Sequence, residues 1–214
     1  MNYKAIIFDL DGTLLDSSQV WVDIDIEYEK KYGIDMPDNY DETINGMSFA
    51  QLAEYYADVL GVPLEPKEIM AEWNSMADSK YRYEVQLLDN AYEFLREQHE
   101  KGVKMCIATA NSRELTEAAL TRLGVMDCIQ FVLSCDDIGC GKDTPEIYLE
   151  SARRLGVDVK DAIVFEDIPN GIISASNGGF DTCAVCGYSF STDDEKMKKL
   201  ATMCIHGYDE LVQR

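Results

Sequence analysis

Ala5-Ile6-Ile7-Phe8-Asp9-Leu10-Asp11-Gly12-Thr13 is the stretch that decides the fold. Its first four residues are apolar with no polar alternation, as expected of a strand buried on both faces. The run stops at an acid and a turn-like Asp11-Gly12-Thr13. Similar runs recur at Val103–Thr109, Ile129–Leu133, Ala162–Phe165 and Thr182–Val185, with a weaker one at Met203–Ile205. Helical patterns lie between them. Asn111 with Glu114 three residues on reads as a capping box, and the pattern Leu115, Ala118, Ala119, Leu123 ends at Gly124. Thr144-Pro145 places proline at a first helical position, and that helix runs through Leu155 to Gly156. Alternating helices and wholly apolar strands imply a parallel sheet covered on both faces.

The interval 16–82 differs in kind, with helical patterns and no strand-like run. Val20, Trp21, Ile24 and Tyr28 share one face of a first helix. Ser48 with Gln51 caps a second that carries Leu52, Tyr55, Tyr56 and Val59 before Gly61. Pro66 opens a third with Ile69, Met70, Trp73, Met76 and Ala77. The expected fold is therefore α/β: a Rossmann-like parallel sheet core with an inserted all-helical cap domain. The core takes residues 1–15 and 83–214 and the cap 16–82, with hinges near Leu15–Ser17 and Tyr81–Val85.

The charge narrows the function. Of 214 residues, 19 are Lys or Arg and 40 are Asp or Glu, a net charge of −21, while 46% are hydrophobic. A core of this richness excludes a disordered acidic tail. Nucleic acid and anionic membrane are excluded as partners, because no basic footprint exists to meet phosphates. No run approaches the roughly 20 apolar residues of a membrane span, and the first apolar run is too short for a secretion signal. Seven scattered cysteines do not form a disulfide framework. A cytoplasmic monomer acting on a small molecule is the expectation.

In an open parallel sheet, ligands bind at the carboxyl ends of the strands. The residues that follow the apolar runs are Asp9 and Asp11, then Thr109 and Asn111, then a loop to Lys142, then Glu166 and Asp167. Four carboxylates at one rim repel each other and take up protons unless a cation joins them. Hard oxygen donors favour Mg²⁺, which also holds a substrate phosphate. One Asp can then attack phosphorus while another handles protons.

The segments Asp9-Leu10-Asp11-Gly12-Thr13-Leu14-Leu15-Asp16-Ser17, Thr109, Gly141-Lys142-Asp143-Thr144-Pro145-Glu146-Ile147-Tyr148 and Phe165-Glu166-Asp167-Ile168-Pro169-Asn170-Gly171-Ile172, in this order, resemble the haloacid dehalogenase superfamily. Within it the chain is most similar to the β-phosphoglucomutase-like phosphatases with a small helical cap. The resemblance implies Asp9 as the nucleophile, forming an aspartyl-phosphate, and Asp11 as general acid and then base. It implies that Thr109 and Lys142 hold the phosphoryl group, with Asn111 beside them. It implies Mg²⁺ on Asp9, the Asp11 carbonyl and Asp167, with Glu166 close by. Where the family's mutase carries a cap His and a cap Arg, this chain has Trp21 and Phe49, candidate substrate contacts. Hydrolysis of a small phosphate monoester, such as a sugar phosphate or similar metabolite, is the implied activity. Phosphosugar mutation and non-catalytic phosphate binding stand as alternatives.

Competing readings of the same residues are weaker. An EF-hand loop needs Gly at its sixth position, whereas Gly12 is fourth and the twelfth residue is Val20. A phosphate-binding loop around Gly141-Lys142 fails at Asp143 and Asp136. Cys183-x-x-Cys186 has no second pair, and its members should point to opposite faces of a strand. His99 and His206 are expected as isolated surface residues, Asp136-Asp137 and Asp193-Asp194-Glu195 as solvated loops, and Arg113 as an exposed helix residue.

Overall fold

The six apolar runs become the six strands of one parallel sheet in the computed structural model, which describes residues 2–44, 46–188 and 194–212. Asn45 and Asp193 lie outside the described residues. In chain order the elements are β1 (Ala5–Phe8), β2 (Leu15–Asp16), α1 (Ser18–Tyr32), α2 (Tyr40–Ile44), α3 (Phe49–Asp58), α4 (Pro66–Tyr83) and β3 (Gln86–Leu87). They continue as α5 (Ala91–Glu100), β4 (Lys104–Thr109), α6 (Arg113–Arg122), β5 (Val132–Ser134), α7 (Cys135–Ile138) and α8 (Glu146–Leu155). The chain then adds β6 (Ala162–Glu166), α9 (Pro169–Asn177), β7 (Asp181–Val185), α10 (Asp194–Leu200) and β8 (Met203–Ile205).

The strand order is β5-β4-β1-β6-β7-β8. Phe8 at the end of β1 is level with Ile107 of β4 and Phe165 of β6, so the residues that follow these three strands emerge at one rim. The chain leaves β1 to one side for β4 and β5, then crosses to the other for β6, which makes that rim the switch point of the sheet. Burial on both faces follows the alternation of side chains. Ile6, Phe8, Ile107 and Phe165 join one core with Phe94 and Leu95 of α5 and Leu115 and Leu120 of α6. Ala5, Ile7, Ala108 and Val164 join a second with Ile147, Tyr148 and Leu155 of α8.

Helices α1–α4 all fall between β2 and β3, which pair antiparallel as a two-stranded ribbon, Leu15 with Leu87 and Asp16 with Gln86. Ser48 and Gln51 form the expected capping box at α3. The buried face of α3, however, is Phe49, Ala53 and Tyr56, and Val59 is 66% exposed. Trp73 of α4 sets that face: its ring centroid lies 5.2 Å from Phe49 and 4.9 Å from Tyr56.

Several local expectations are corrected. The cap of α6 is Ser112, whose Oγ accepts from Leu115 N–H at 3.3 Å, because the Asn111 side chain is engaged elsewhere. Pro145 is the N-cap of α8, one position earlier than expected. Asp136-Asp137 lie in α7, where Asp137 closes a capping box with Ser134, and Asp194-Glu195 open α10. Cys183 and Cys186 do face opposite cores, but Cys186 Sγ lies 2.7 Å from Cys204 Sγ. His206 is not isolated, with Nε2 3.5 Å from Asp194 and Nδ1 3.9 Å from Glu210.

Candidate active site

Asp9 follows β1 directly, Glu166 ends β6 and Asp167 follows it, so sheet register alone brings three carboxyls together. One oxygen from each lies within 4.8 Å of the others, and all three residues are buried. The Lys142 ammonium, 2% exposed, bridges two of them, donating to Asp9 Oδ1 and to Glu166 Oε1, the latter at 2.6 Å. Tyr148 O–H of α8 donates to the same Glu166 oxygen at 2.7 Å. Glu166 Oε2 is buried with no hydrogen-bond partner. Thr13 Oγ1 donates to Asp167 Oδ1 at 3.3 Å.

Two glycines make this packing possible. Gly12, at φ +80°, passes so close to Asp167 Oδ2 that a Cβ would collide with it. A Cβ on Gly171 in α9 would sit 2.5 Å from the Glu166 carboxyl carbon.

Electrostatics in the cluster are unbalanced. Burial works against the Lys142 charge, yet the Asp9 and Glu166 carboxylates outweigh it and hold this lysine protonated, above its ordinary range. Burial, then repulsion from Asp9, pushes Glu166 up to about 7 despite Lys142. Asp167 is driven well above the usual carboxylate range by burial and by the charges of Asp9 and Glu166. One lysine does not satisfy three buried acids. An all-oxygen donor set with an orphaned Glu166 oxygen suits a hard divalent cation, and Mg²⁺ fits that chemistry.

Asp11 has a different setting. Ser17 Oγ donates to its Oδ1 at 2.5 Å, Tyr81 O–H donates to the same oxygen, and Asn111 Nδ2 donates to Oδ2 at 2.9 Å. The Tyr81 oxygen in turn accepts from Asn111 Nδ2 and from Trp21 Nε1, each at 2.9 Å. Burial raises the Asp11 carboxyl above its ordinary value, opposed by these hydrogen bonds. A carboxyl so placed can hold a proton for transfer.

Thr109 Oγ1 accepts the Asn111 N–H at 2.9 Å, and its own proton remains to donate. A cavity of about 280 Å³ brings together Asp9, Asp11, Thr109, Asn111, Lys142 and Asp167 on its sheet side, with Trp21 and Phe49 facing them from α1 and α3. Every expected site residue therefore lines this cavity except Glu166, which stands behind Lys142. Arg113 pairs with Asp137 at 2.6 Å and is not among the lining residues. The helical segment is docked over the site: Lys142 N–H donates to Gly46 O at 2.6 Å and Ala50 N–H to Asp136 at 3.3 Å.

Tyr81, Tyr148 and Ser17 are polar contacts of the acids to which the sequence reading gave no role, although Ser17 and Tyr148 end two of its motif segments. Tyr81 falls four residues after Ala77 and eight after Trp73, so the helical period signals its burial without signalling its partner.

A profile of the haloacid dehalogenase-like hydrolases matches residues 6–185. The chain is 30% identical over 178 residues to validoxylamine A 7'-phosphate phosphatase of Streptomyces hygroscopicus subsp. limoneus, covering 83% of each chain. It is 26% identical over 187 residues to the fructose-1-phosphate phosphatase YqaB of Escherichia coli, covering 86% of this chain and 96% of that one. In fold it is similar to CbbY of Rhodobacter sphaeroides, solved in complex with phosphate, with a TM-score of 0.82 at 21% identity, covering 98% of this chain and 96% of that one.

Proposed function

From the premise that this chain belongs to the haloacid dehalogenase-like hydrolases and is a phosphoric monoester hydrolase, we propose that it cleaves a small phosphate monoester through an aspartyl-phosphate on Asp9. The observation that carries the reading is the buried convergence of Asp9, Lys142, Glu166 and Asp167 at one strand rim, with Asp11 held apart from them.

The Asp9 carboxylate attacks phosphorus, and the leaving alkoxide takes a proton from Asp11. Asp11 then accepts a proton from the water that hydrolyses the acyl phosphate. A buried acid raised in pKa suits the first of these roles, and a carboxylate fixed by Ser17, Tyr81 and Asn111 suits the second. Thr109 and Lys142 hold the phosphoryl oxygens, with Asn111 beside Asp11. Asp9, Asp167 and the Asp11 carbonyl, with Glu166 behind, would hold Mg²⁺, which would neutralise charge on the phosphoryl group. Positioning and preset charge account for most of the acceleration such hydrolysis demands, and a covering segment adds exclusion of water.

Residues 16–82 serve as the cap and 1–15 with 83–214 as the catalytic core, a division supported by the β2–β3 ribbon at the two crossings. Hydrolysis is preferred to mutation because Trp21 and Phe49 offer neither a proton donor for a second transfer nor a cation for a second phosphate. The Trp21 N–H is already given to Tyr81.

Purified protein with Mg²⁺ and p-nitrophenyl phosphate is expected to release phosphate, and Asp9→Asn to abolish release while leaving the circular dichroism unchanged. No release across a broad ester panel would favour a phosphate-binding protein. Interconversion of β-glucose 1-phosphate and glucose 6-phosphate without free phosphate would favour the mutase.

A further inference from the structure

The wall of the cavity opposite the acids is made by Trp21, Ile44, Met47, Phe49 and Leu52, all apolar. Trp21 and Phe49 meet edge to face with centroids 5.8 Å apart, and Phe49 is backed by the buried Trp73. The indole N–H is spent on Tyr81, which fixes the ring and leaves its apolar surface to the cavity.

Polar side-chain groups on this wall are few. Ser48 Oγ accepts from Gln51 N–H in the helix cap and keeps its own proton to donate, while on the facing side Asn111 Nδ2 is shared by Asp11 and Tyr81 and Asn111 Oδ1 accepts from Ser112 N–H. Among the described lining residues the single cation is Lys142, at the phosphate end, where Asp9 and Glu166 already hold it. The charged lining residue on the helical side is an acid, Asp41, at the exposed mouth. A second phosphate or a carboxylate on the leaving group would lose water there without meeting a positive charge. A polyol would place most of its hydroxyls against apolar side chains that cannot bond them, with Ser48 and Asp41 the lining side chains on the helical side that can.

We propose that the ester's leaving group is uncharged and presents a flat apolar face, a ring system seated on Trp21 and Phe49, and that bisphosphates and polyhydroxylated sugar phosphates are poor substrates. The proposal rests on the phosphatase reading above and narrows the sugar-phosphate expectation drawn from the sequence. The volume of about 280 Å³ falls just below the usual span of small-molecule sites, roughly 300–1,000 Å³, and suits one ring system beside a phosphate.

The test compares esters of primary alcohols, so that leaving-group basicity varies little: 2-phenylethyl phosphate and a nucleoside 5'-monophosphate against glycerol 3-phosphate, glucose 6-phosphate and fructose 1,6-bisphosphate. The ring-bearing esters are expected to show kcat/KM at least about tenfold higher, the scale of one well-packed ring contact. Phe49→Ser is expected to shrink that ratio, and Leu52→Arg to raise kcat/KM for the bisphosphate by about tenfold by supplying the missing cation. Wild-type preference for the sugar phosphate or the bisphosphate overturns the proposal, as does a ratio that Phe49→Ser leaves unmoved. Calorimetric affinities of the same esters for Asp9→Asn with Mg²⁺ read the preference without turnover. Release from no ester therefore defeats the phosphatase reading alone, while an affinity order favouring polyols or bisphosphates defeats this one.

Discussion

Tyr81 gives its phenolic proton to Asp11 while its oxygen accepts from Trp21 and Asn111, so a side chain of α4 closes over the carboxyl that follows β1. The helical segment thus touches the proposed acid and base directly. Tyr81→Phe removes one donor from Asp11 and with it a force that lowers the Asp11 pKa. The alkaline limb of the kcat profile, where Asp11 loses its proton, should move to higher pH. At neutral pH kcat should fall about tenfold or more, as expected for a lost hydrogen bond to a charged group. A merely structural tyrosine would lower the melting temperature and leave the limb in place.

Lys142 separates two buried carboxylates that would otherwise face each other. Lys142→Met should abolish turnover and, in EDTA, cost about 3–5 kcal/mol of stability in urea unfolding, the usual penalty for breaking a buried ion pair from one side. Millimolar MgCl₂ should restore more stability to this variant than it adds to the wild type. If MgCl₂ stabilises neither protein, the acid cluster is not a metal site.

Asp25, in α1, accepts from Tyr56 O–H at 2.7 Å and Tyr40 O–H at 3.3 Å within the helical segment. Burial pushes its carboxyl from 3.8 up to about 6 despite those donors. The folded chain therefore holds this proton more tightly than the unfolded chain. The stability it contributes is full below about pH 4 and is lost as pH rises through about 6. Asp25→Asn should raise stability at pH 7–8 by about 1–2 kcal/mol and change it little near pH 4, read by thermal unfolding across the range.

The segment from Ser17 to Arg82 holds 14 acids and five bases, and an anionic substrate must pass it. Modest added salt at fixed free Mg²⁺ should raise kcat/KM where capture is limiting, because exposed charges are screened over about 8–10 Å. A steep fall would instead mark a locally positive mouth.

Much of this was legible in the sequence because burial on both faces writes strands as unbroken apolar runs, and the acids that follow those runs mark the rim. Asp9, Asp11, Thr109, Lys142, Glu166 and Asp167 were located in this way. Helices α1, α3 and α4 showed through their periods; α5 buries Ala91, Phe94, Leu95 and Gln98 at an equally regular helical spacing, a signal present in the sequence but not drawn on. The two-residue strands β2 and β3 are too short to leave any pattern. Partner choice was the least legible property. Asn111 and Ser112 are both good caps, and only the distant Asp11 and Tyr81 decide which one caps α6. Likewise nothing local ties Tyr81 to an acid 70 positions earlier.

The β2–β3 ribbon has a mechanical meaning. A segment hung from two independent tethers can drift and twist, whereas α1–α4 hang from two strands zipped to each other, Leu15 to Leu87 and Asp16 to Gln86. Such a mount works like a single post: a displacement of the helical segment would have to be shared by both strands. Where the segment rests on the core, the amide of Lys142 is latched to Gly46 O. Any opening of the segment would break this backbone bond at Lys142, whose ammonium is held separately by Asp9 and Glu166. The covering segment and the charged cluster thus meet at one residue through two different groups, so the cover would lift without dismantling the cluster.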